Sequence, residues 1–513
     1  MSMSWIRSAV YEWRARPEAI LFPALVHSIC MGLKGLPLTY LLREIRCEEY
    51  AASLPEVPPD AAALCRSVTV QKAYSADVAL FVTIATVMGI VLSGPYGTLS
   101  DLKGRKRALL LASSLNALGD IWLIVCAICG ALRRPWIMQL GAVLSGLGGG
   151  FSVLLSGHNA FIADTTRPTE RSWYLGLSLV MLWVGGALGP LVSAPLTDHQ
   201  SYATSLALTA LGWLVYILYV AFVLRETRVP SAEGETSSIL SILSAASEER
   251  AHTHKPVVRL MVRTFVEPMR VVAVNRAILF PSLGMLGGIL AAGSFEFVVP
   301  YCDSKFGLSP NEAGVISAVM SISRAVSVVL VLPVVLAAFD KFSKRQSQKV
   351  SPEAAADEQT PLLSETGDDA ERVLPAHERD LEEPKIEDSS IARELIIVRV
   401  GLAIDAVGML FLWRSRSALE ISIATAIGSL GAPAAPSMQA LVTIGAPQNE
   451  MGRVLAGLSV LESLAVALRN PVFFPLFQTT LERMPGAIFG LAAAIYLLCD
   501  FLMLFLRPKQ YIR

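Results

Sequence analysis

Twelve apolar segments of roughly membrane length, strung along 513 residues, leave this chain few ways to fold. They run approximately over 18–42, 78–99, 108–130, 136–161, 173–196, 203–224, 274–299, 313–338, 395–413, 417–441, 455–479 and 486–506. Most are close to the ~20 residues an α-helix needs to cross a bilayer core, and the longer ones fit by tilting. They lack period-two alternation and are too long for barrel strands, so helices are expected. Charged residues make up 17% of the chain, against about 25% in soluble domains. The apolar excess therefore belongs to many spans in a lipid bilayer rather than to one large core. The expected fold is an all-α membrane protein with twelve transmembrane helices in two six-helix, pseudo-symmetric bundles.

The bundles are expected at 18–224 and 274–506, joined by a cytoplasmic linker at 225–273. Residues 1–17 are basic and amphipathic and lack the compact apolar core and cleavage site of a signal peptide, so they read as a cytoplasmic, interface-lying N-terminus. Residues 507–513 read as a cytoplasmic tail. Basic residues concentrate on the segments that fall inside when both termini are cytoplasmic. The short turn after the second segment carries Lys103, Arg105, Lys106 and Arg107, whereas Arg133-Arg134 on an outer turn is a local exception. A formal net charge of zero gives no case for a nucleic-acid partner. No metal-ligand cluster, nucleophile elbow or P-loop appears, so neither an enzyme, a cofactor nor a nucleotide-driven pump is expected.

A long insert at about 340–393 interrupts the second half. It is rich in Pro, Glu, Asp and Ser after Lys349 and is expected to be disordered. Within it, Glu358, Leu362 and Leu363 form a pattern resembling an acidic dileucine sorting signal, which implies a sorting adaptor as partner and an endosomal or vacuolar membrane rather than the plasma membrane. Cys126 and Cys129 form a CxxC without nearby histidines and read as small core residues. Cys47 and Cys65 both fall in the outer loop 43–77 and are the expected disulfide, with Cys302 an alternative partner for either.

The turn Gly97-Thr98-Leu99-Ser100-Asp101-Leu102-Lys103-Gly104-Arg105-Lys106-Arg107 resembles the signature between the second and third helices of major facilitator superfamily transporters. Gly97 is expected to allow close helix approach and Gly104 to give the turn its backbone freedom. The resemblance implies a latch on the cytoplasmic side. Asp101 would meet the amino terminus of helix 11, and Arg105 would pair with Asp164 or Glu170. On helix 5, Gly176, Gly185, Gly189-Pro190 and Ser193-Ala194 resemble the antiporter motif of that superfamily, with its final glycines replaced. Small residues at this spacing allow close helix contact, and Pro190 removes a backbone hydrogen bond. The outer loop and the turn after helix 7 resemble fungal members distantly similar to proton-coupled folate transporters. The usual helix 4 arginine is replaced by the glycine-rich Gly146–Gly150 stretch.

Ionisable groups inside spans are costly and tend to face a cavity or a partner. Cavity roles fall to His27 and Lys34, seven apart on helix 1, to Arg324 on helix 8, and to Glu462, Arg469 and Asn470 on helix 11. His158 and Asn159 lie towards the inner end of helix 4. Asp120 and Asp405 read as paired structural charges. Glu462 is the first expectation for a proton-carrying group and His27 the second. The resemblance implies a monomeric secondary transporter of a small organic molecule, using the proton as coupling ion and acting in efflux. A proton-coupled importer of an organic anion or nutrient is the alternative, and a non-transporting sensor using the acidic insert is the rival from another class.

Overall fold

The apolar windows fold as helices, and several helices run well past them. The computed structural model describes residues 16–55, 64–166, 168–199, 201–227, 275–331, 333–334, 376–446 and 451–507. Its helices are α1 (Leu21–Ala52), α2 (Val68–Lys103), α3 (Arg105–Ile128), α4a and α4b (Pro135–Leu147 and Gly150–Thr165), α5 (Pro168–Asp198) and α6 (Tyr202–Phe222) in the first half. The second half contributes α7a and α7b (Arg276–Ala292 and Val298–Phe306), α8 (Pro310–Val326), α9 (Ala376–Arg414), α10a and α10b (Ala418–Ser429 and Ala434–Gly445), α11 (Met451–Thr480) and α12 (Ala487–Met503). Ten continuous or nearly continuous helical runs are long and apolar enough to cross a membrane. With α11 and the shorter α12, the described helices make up a twelve-helix fold.

α1 and α2 extend about ten residues beyond their apolar windows because the added turns satisfy one another's charges. Arg46 bridges Asp77 at 2.7 Å and Glu49 at 2.8 Å, and Arg133 reaches Glu44 at 2.6 Å. Cys47 and Cys65 are disulfide-bonded across the shortened loop, their Cα atoms 5.0 Å apart, and Cys302 is a buried free thiol. α9 also begins early. In the structure α9 takes in 376–393, the end of the insert expected to be disordered, although Pro384 falls within it. Glu358, Leu362 and Leu363 lie outside the described residues, as do most of the N-terminal segment, the linker and the rest of the insert.

α4, α7 and α10 are broken in mid-course. In α4 the break is the glycine run, where Gly149 and Gly150 take φ of 74° and 53°. In α7 it is a 3-10 turn, Gly293–Phe297. Each break frees backbone groups from the helical ladder, which a membrane protein tolerates where protein or a cavity surrounds them.

The apolar cores separate by half. One large cluster draws only on residues between Ile278 and Leu506 and is centred on Phe473, Phe477 and Phe489. Two others draw only on residues between Ala19 and Leu224, around Trp213 and Tyr216 and around Leu41 and Tyr74. A small fourth cluster of Leu36, Tyr40, Ala194 and Ala313 bridges the halves.

Within the first half, α5 lies against α1 through its motif glycines. A Cβ at Gly189 would stand 2.6 Å from the Gly32 backbone, and one at Gly185 would stand 2.6 Å from Ser28 Cβ. Only hydrogen allows that approach. Gly176 and Gly97 differ: no atom lies within 4 Å of a Cβ at either position. The expectation that Gly97 serves close helix contact therefore does not hold for this conformation.

Candidate functional site: a cavity between the two halves

A cavity of about 280 Å³ lies where α1, α2 and α5 of the first half meet α7, α8 and α11 of the second. Its wall is mostly aliphatic, from residues such as Met31, Val78, Val82 and Val299. Its polar groups are few: Thr39, Ser75, Glu296, Ser317 and Asn470. This is the usual make-up of a small-molecule site, an apolar container with a handful of orienting groups.

Among the described residues, Glu296 is the only ionisable one that lines it. The 3-10 turn that breaks α7 carries it to the cavity, and Arg469 Nη1 donates to its Oε1 at 3.3 Å. Arg469 Nε donates to the Ile289 carbonyl at 3.0 Å, so this guanidinium also ties α11 to α7a. Gly293 makes room for it, since a Cβ there would meet Arg469 Cγ at 2.6 Å. Next along α11, Asn470 Nδ2 donates across the halves to Thr83 Oγ1 at 3.0 Å. Of the two expected helix 11 residues, Asn470 lines the cavity and Arg469 stands behind Glu296. Their acidic companion is Glu296 rather than Glu462, which has no hydrogen-bond or ion-pair partner among the described residues and does not line the cavity.

Among the described residues, Arg324 has no carboxylate partner in ion-pair contact. Its guanidinium carbon lies 4.3 Å from the Phe295 ring centre and 5.1 Å from that of Trp183.

His27 and Lys34 turn away from the cavity into the core of the first half. Lys34 Nζ pairs with Asp120 Oδ1 at 3.1 Å, and Trp213 Nε1 donates to Asp120 Oδ2 at 2.7 Å. His27 is fully buried among Phe151, His158 and Trp213, with ring centres 5.4 to 5.7 Å away. His158 Nε2 meets the Tyr216 hydroxyl at 2.9 Å. Asn159 has no side-chain partner among the described residues.

Polar contacts join the halves at the end that carries the disulfide. Asp303 on α7b is the hub: it takes an ion pair from Arg43 at 2.9 Å and accepts from Gln71 Nε2 at 3.0 Å and the Tyr74 hydroxyl at 3.1 Å. Around it, the Tyr40 hydroxyl donates to the Leu308 carbonyl at 3.3 Å, and Gln478 Nε2 donates to the Lys72 carbonyl and Ser75 Oγ at 2.8 Å. Lys72 pairs with Glu482 at 2.9 Å, and this ammonium holds the exposed Glu482 carboxyl below its usual range.

At the opposite end the basic turn bonds within its own half. Arg105 Nε donates to Asp164 Oδ2 at 2.8 Å, Asp164 being one of the two expected acids, and Arg105 Nη1 donates to Ser100 Oγ at 3.0 Å; the side chain of Glu170, the other acid, lies outside the described residues. Gly104 takes φ of 98° and opens α3, whose first amides, Arg105 N and Lys106 N, donate to the Glu226 carboxylate at 2.8 and 3.1 Å. A carboxylate on freed amides at a helix start is favoured by both hydrogen bonding and the helix dipole. Lys106 Nζ donates to the Ala221 carbonyl at 2.6 Å, and Arg107 is exposed. The side chain of Asp101, and hence its contact with α11, lies outside the described residues.

Sequence reasoning missed Glu296, Asp303 and Trp183. Glu296 was reachable, because it is an acid inside the 274–299 window and the rule that picks out Glu462 applies to it equally. Asp303 sits beyond that window, and its importance comes only from partners more than 200 residues away.

Comparison with known proteins places these features in a family. The family model described as Major Facilitator Superfamily matches residues 63–351. An uncharacterized membrane protein of Schizosaccharomyces pombe, C14C4.07, is 26% identical across 96% of this chain and 79% of its own length. The MFS efflux pump atnC of Emericella nidulans is 30% identical over 44% of this chain and 41% of its own. Among solved structures, the D-xylose–proton symporter aligns with a TM-score of 0.57 at 12% identity, covering 96% of this chain and 98% of the other. The human organic anion transporter MFSD10 aligns with a TM-score of 0.54 at 16% identity, covering 96% and 99%.

Proposed function

The chain belongs to the Major Facilitator Superfamily, and we propose that it is a proton-coupled secondary transporter that exports a small organic molecule by alternating access. The observation that carries the proposal is the cavity between the halves, holding one carboxylate and closed towards the disulfide end by the contacts around Asp303. In this reading the basic-turn end faces the cytoplasm, as the positive-inside rule favours, and the conformation faces inward.

In this proposal Glu296 carries the coupling proton. With Glu296 ionised, Arg469 is held by it; with Glu296 protonated, the ion pair is lost and Arg469 keeps only its contact with the Ile289 carbonyl of α7a. A proton taken up at Glu296 thus changes both the charge of the cavity and the tie between α7 and α11. Alternation then requires the Asp303 contacts to break and the Arg105–Asp164 end to close onto the second half. The efflux direction is supported by the helix 5 glycines packed on α1 and by the printed functions of relatives such as atnC.

Growth and accumulation assays with a compound panel, in a knockout and an overexpressor, identify the substrate. The pH dependence of its flux is then measured in Glu296→Gln and Glu462→Gln. Loss of pH dependence in the first and retention in the second is the expected result. Retention in Glu296→Gln removes Glu296 from the coupling role. The alternative, proton-coupled import of an organic anion, is favoured by the free Arg324 and is separated from export by the sign of the gradient that drives accumulation.

A further inference from the structure

Three cations in the spans invite a substrate role, and the structure treats them differently. Lys34 is neutralised by Asp120 and Arg469 by Glu296. Arg324 has no carboxylate within ion-pair distance and no hydrogen-bond acceptor among the described residues, and its Nε is buried without a partner. Asp405 on α9 lies within its electrostatic reach but not in contact. A charge at membrane depth with no counter-charge in contact is costly, and such groups mark functional sites by default.

Its surroundings hold the group in place without neutralising it. Phe295 and Trp183 offer ring faces to the guanidinium from α7 and α5. Stacking of this kind stabilises the cation and fixes its plane while leaving the N–H edge for a planar or tetrahedral anion. None of the three is among the residues that line the cavity, but helical periodicity sets two of them on faces that line it further along. Arg324 lies seven residues beyond the lining Ser317 on α8, and Trp183 seven before the lining Pro190 on α5, so each sits two turns along the same face, roughly 10 Å towards the basic-turn end. Phe295 adjoins Glu296 in the α7 break.

We propose that Arg324, stacked between Phe295 and Trp183, is the anion-recognition element of the transport site, and that the substrate is an organic anion with an apolar or aromatic body. The proposal rests on the reading of the cavity as a transport site. The anionic group docks on the Arg324 edge, and the apolar body fills the aliphatic cavity beside Glu296.

The test is binding to the purified full-length protein in nanodiscs, by calorimetry, of three probes with one body: naphthalene-2-sulfonate, naphthalene-2-sulfonamide and 2-naphthylmethylammonium. Wild type is expected to prefer the sulfonate over the sulfonamide by about tenfold or more, the value of one good charge-assisted contact. In Arg324→Gln that ratio falls to about one, whereas Arg324→Lys keeps part of it and Asp405→Asn keeps all of it. A thermal melt on each variant confirms folding. An undiminished ratio in folded Arg324→Gln overturns the proposal, as does wild-type preference for the ammonium probe or failure to bind any of the three. Glu296-dependent flux of an uncharged compound overturns the anion assignment while leaving the transport reading intact.

Discussion

Asp303→Asn should unlock the disulfide end. Asp303 is 3% exposed and its partner Arg43 18% exposed by side chain, at 2.9 Å. Removing one member of a buried ion pair costs about 3–5 kcal/mol, and the lower figure applies here because Arg43 retains some water. The contact joins opposite halves, so the loss falls on the state closed at this end rather than on the fold of either half. About 3 kcal/mol corresponds to a shift of roughly a hundredfold in the closed-to-open equilibrium. The adjacent Cys302 reports it without further engineering, since its thiol is 1% exposed in the closed state. Labelling by a membrane-impermeant maleimide, quantified at Cys302 by mass spectrometry, should accelerate by up to that factor in Asp303→Asn while the thermal melt stays cooperative. Wild-type labelling rates in a folded Asp303→Asn protein would refute the assignment of Asp303 as the hub of the closure.

Gly189→Val should lower the melting temperature sharply or prevent folding, because its Cβ would meet the Gly32 backbone at 2.6 Å and overpacking costs about 1–3 kcal/mol or more. Gly97→Ala and Gly176→Ala, with nothing within 4 Å, should be neutral or stabilise by up to about 1 kcal/mol in the same melt. Asp120→Asn should destabilise the first half by about 3–5 kcal/mol, since it leaves Lys34 without its counter-charge; a melt close to wild type would count against a structural role for that pair. The Lys72–Glu482 contact has a depressed carboxyl, so its contribution to closure is present above the ordinary carboxylate range and fades as pH falls through the lowered value. The ratio of Cys302 labelling in wild type to that in Glu482→Gln, which cancels the slowing of the thiol reaction itself at low pH, should therefore rise towards one at acid pH.

The fold was legible because a bilayer imposes a length on every span, and the twelve windows state it twelve times. The ends were not, because charged turns such as Arg43–Glu49 look like loop by hydropathy and become helix once Asp77 and Arg133 neutralise them. At the basic turn Arg105 pairs with Asp164, one of the two local acids that the sequence offered. Within the central site, Arg469 and Asn470 were found by depth alone. Periodicity cannot tell which side of a buried helix meets a cavity, so Lys34 and His27, placed on one face by their spacing, proved to face the interior of their own half. Glu296 gained its role from a break in α7 that no local pattern announces.

The most direct measurement of the account is flux through purified protein in oriented liposomes under an imposed pH gradient, with the substrate identified by the accumulation panel. With the cytoplasmic face outward, a proton-coupled exporter accumulates substrate in an acidic lumen. A protonophore collapses that accumulation, and Glu296→Gln abolishes its dependence on the gradient. Accumulation that ignores the gradient, or that persists with full pH dependence in Glu296→Gln, would contradict the account.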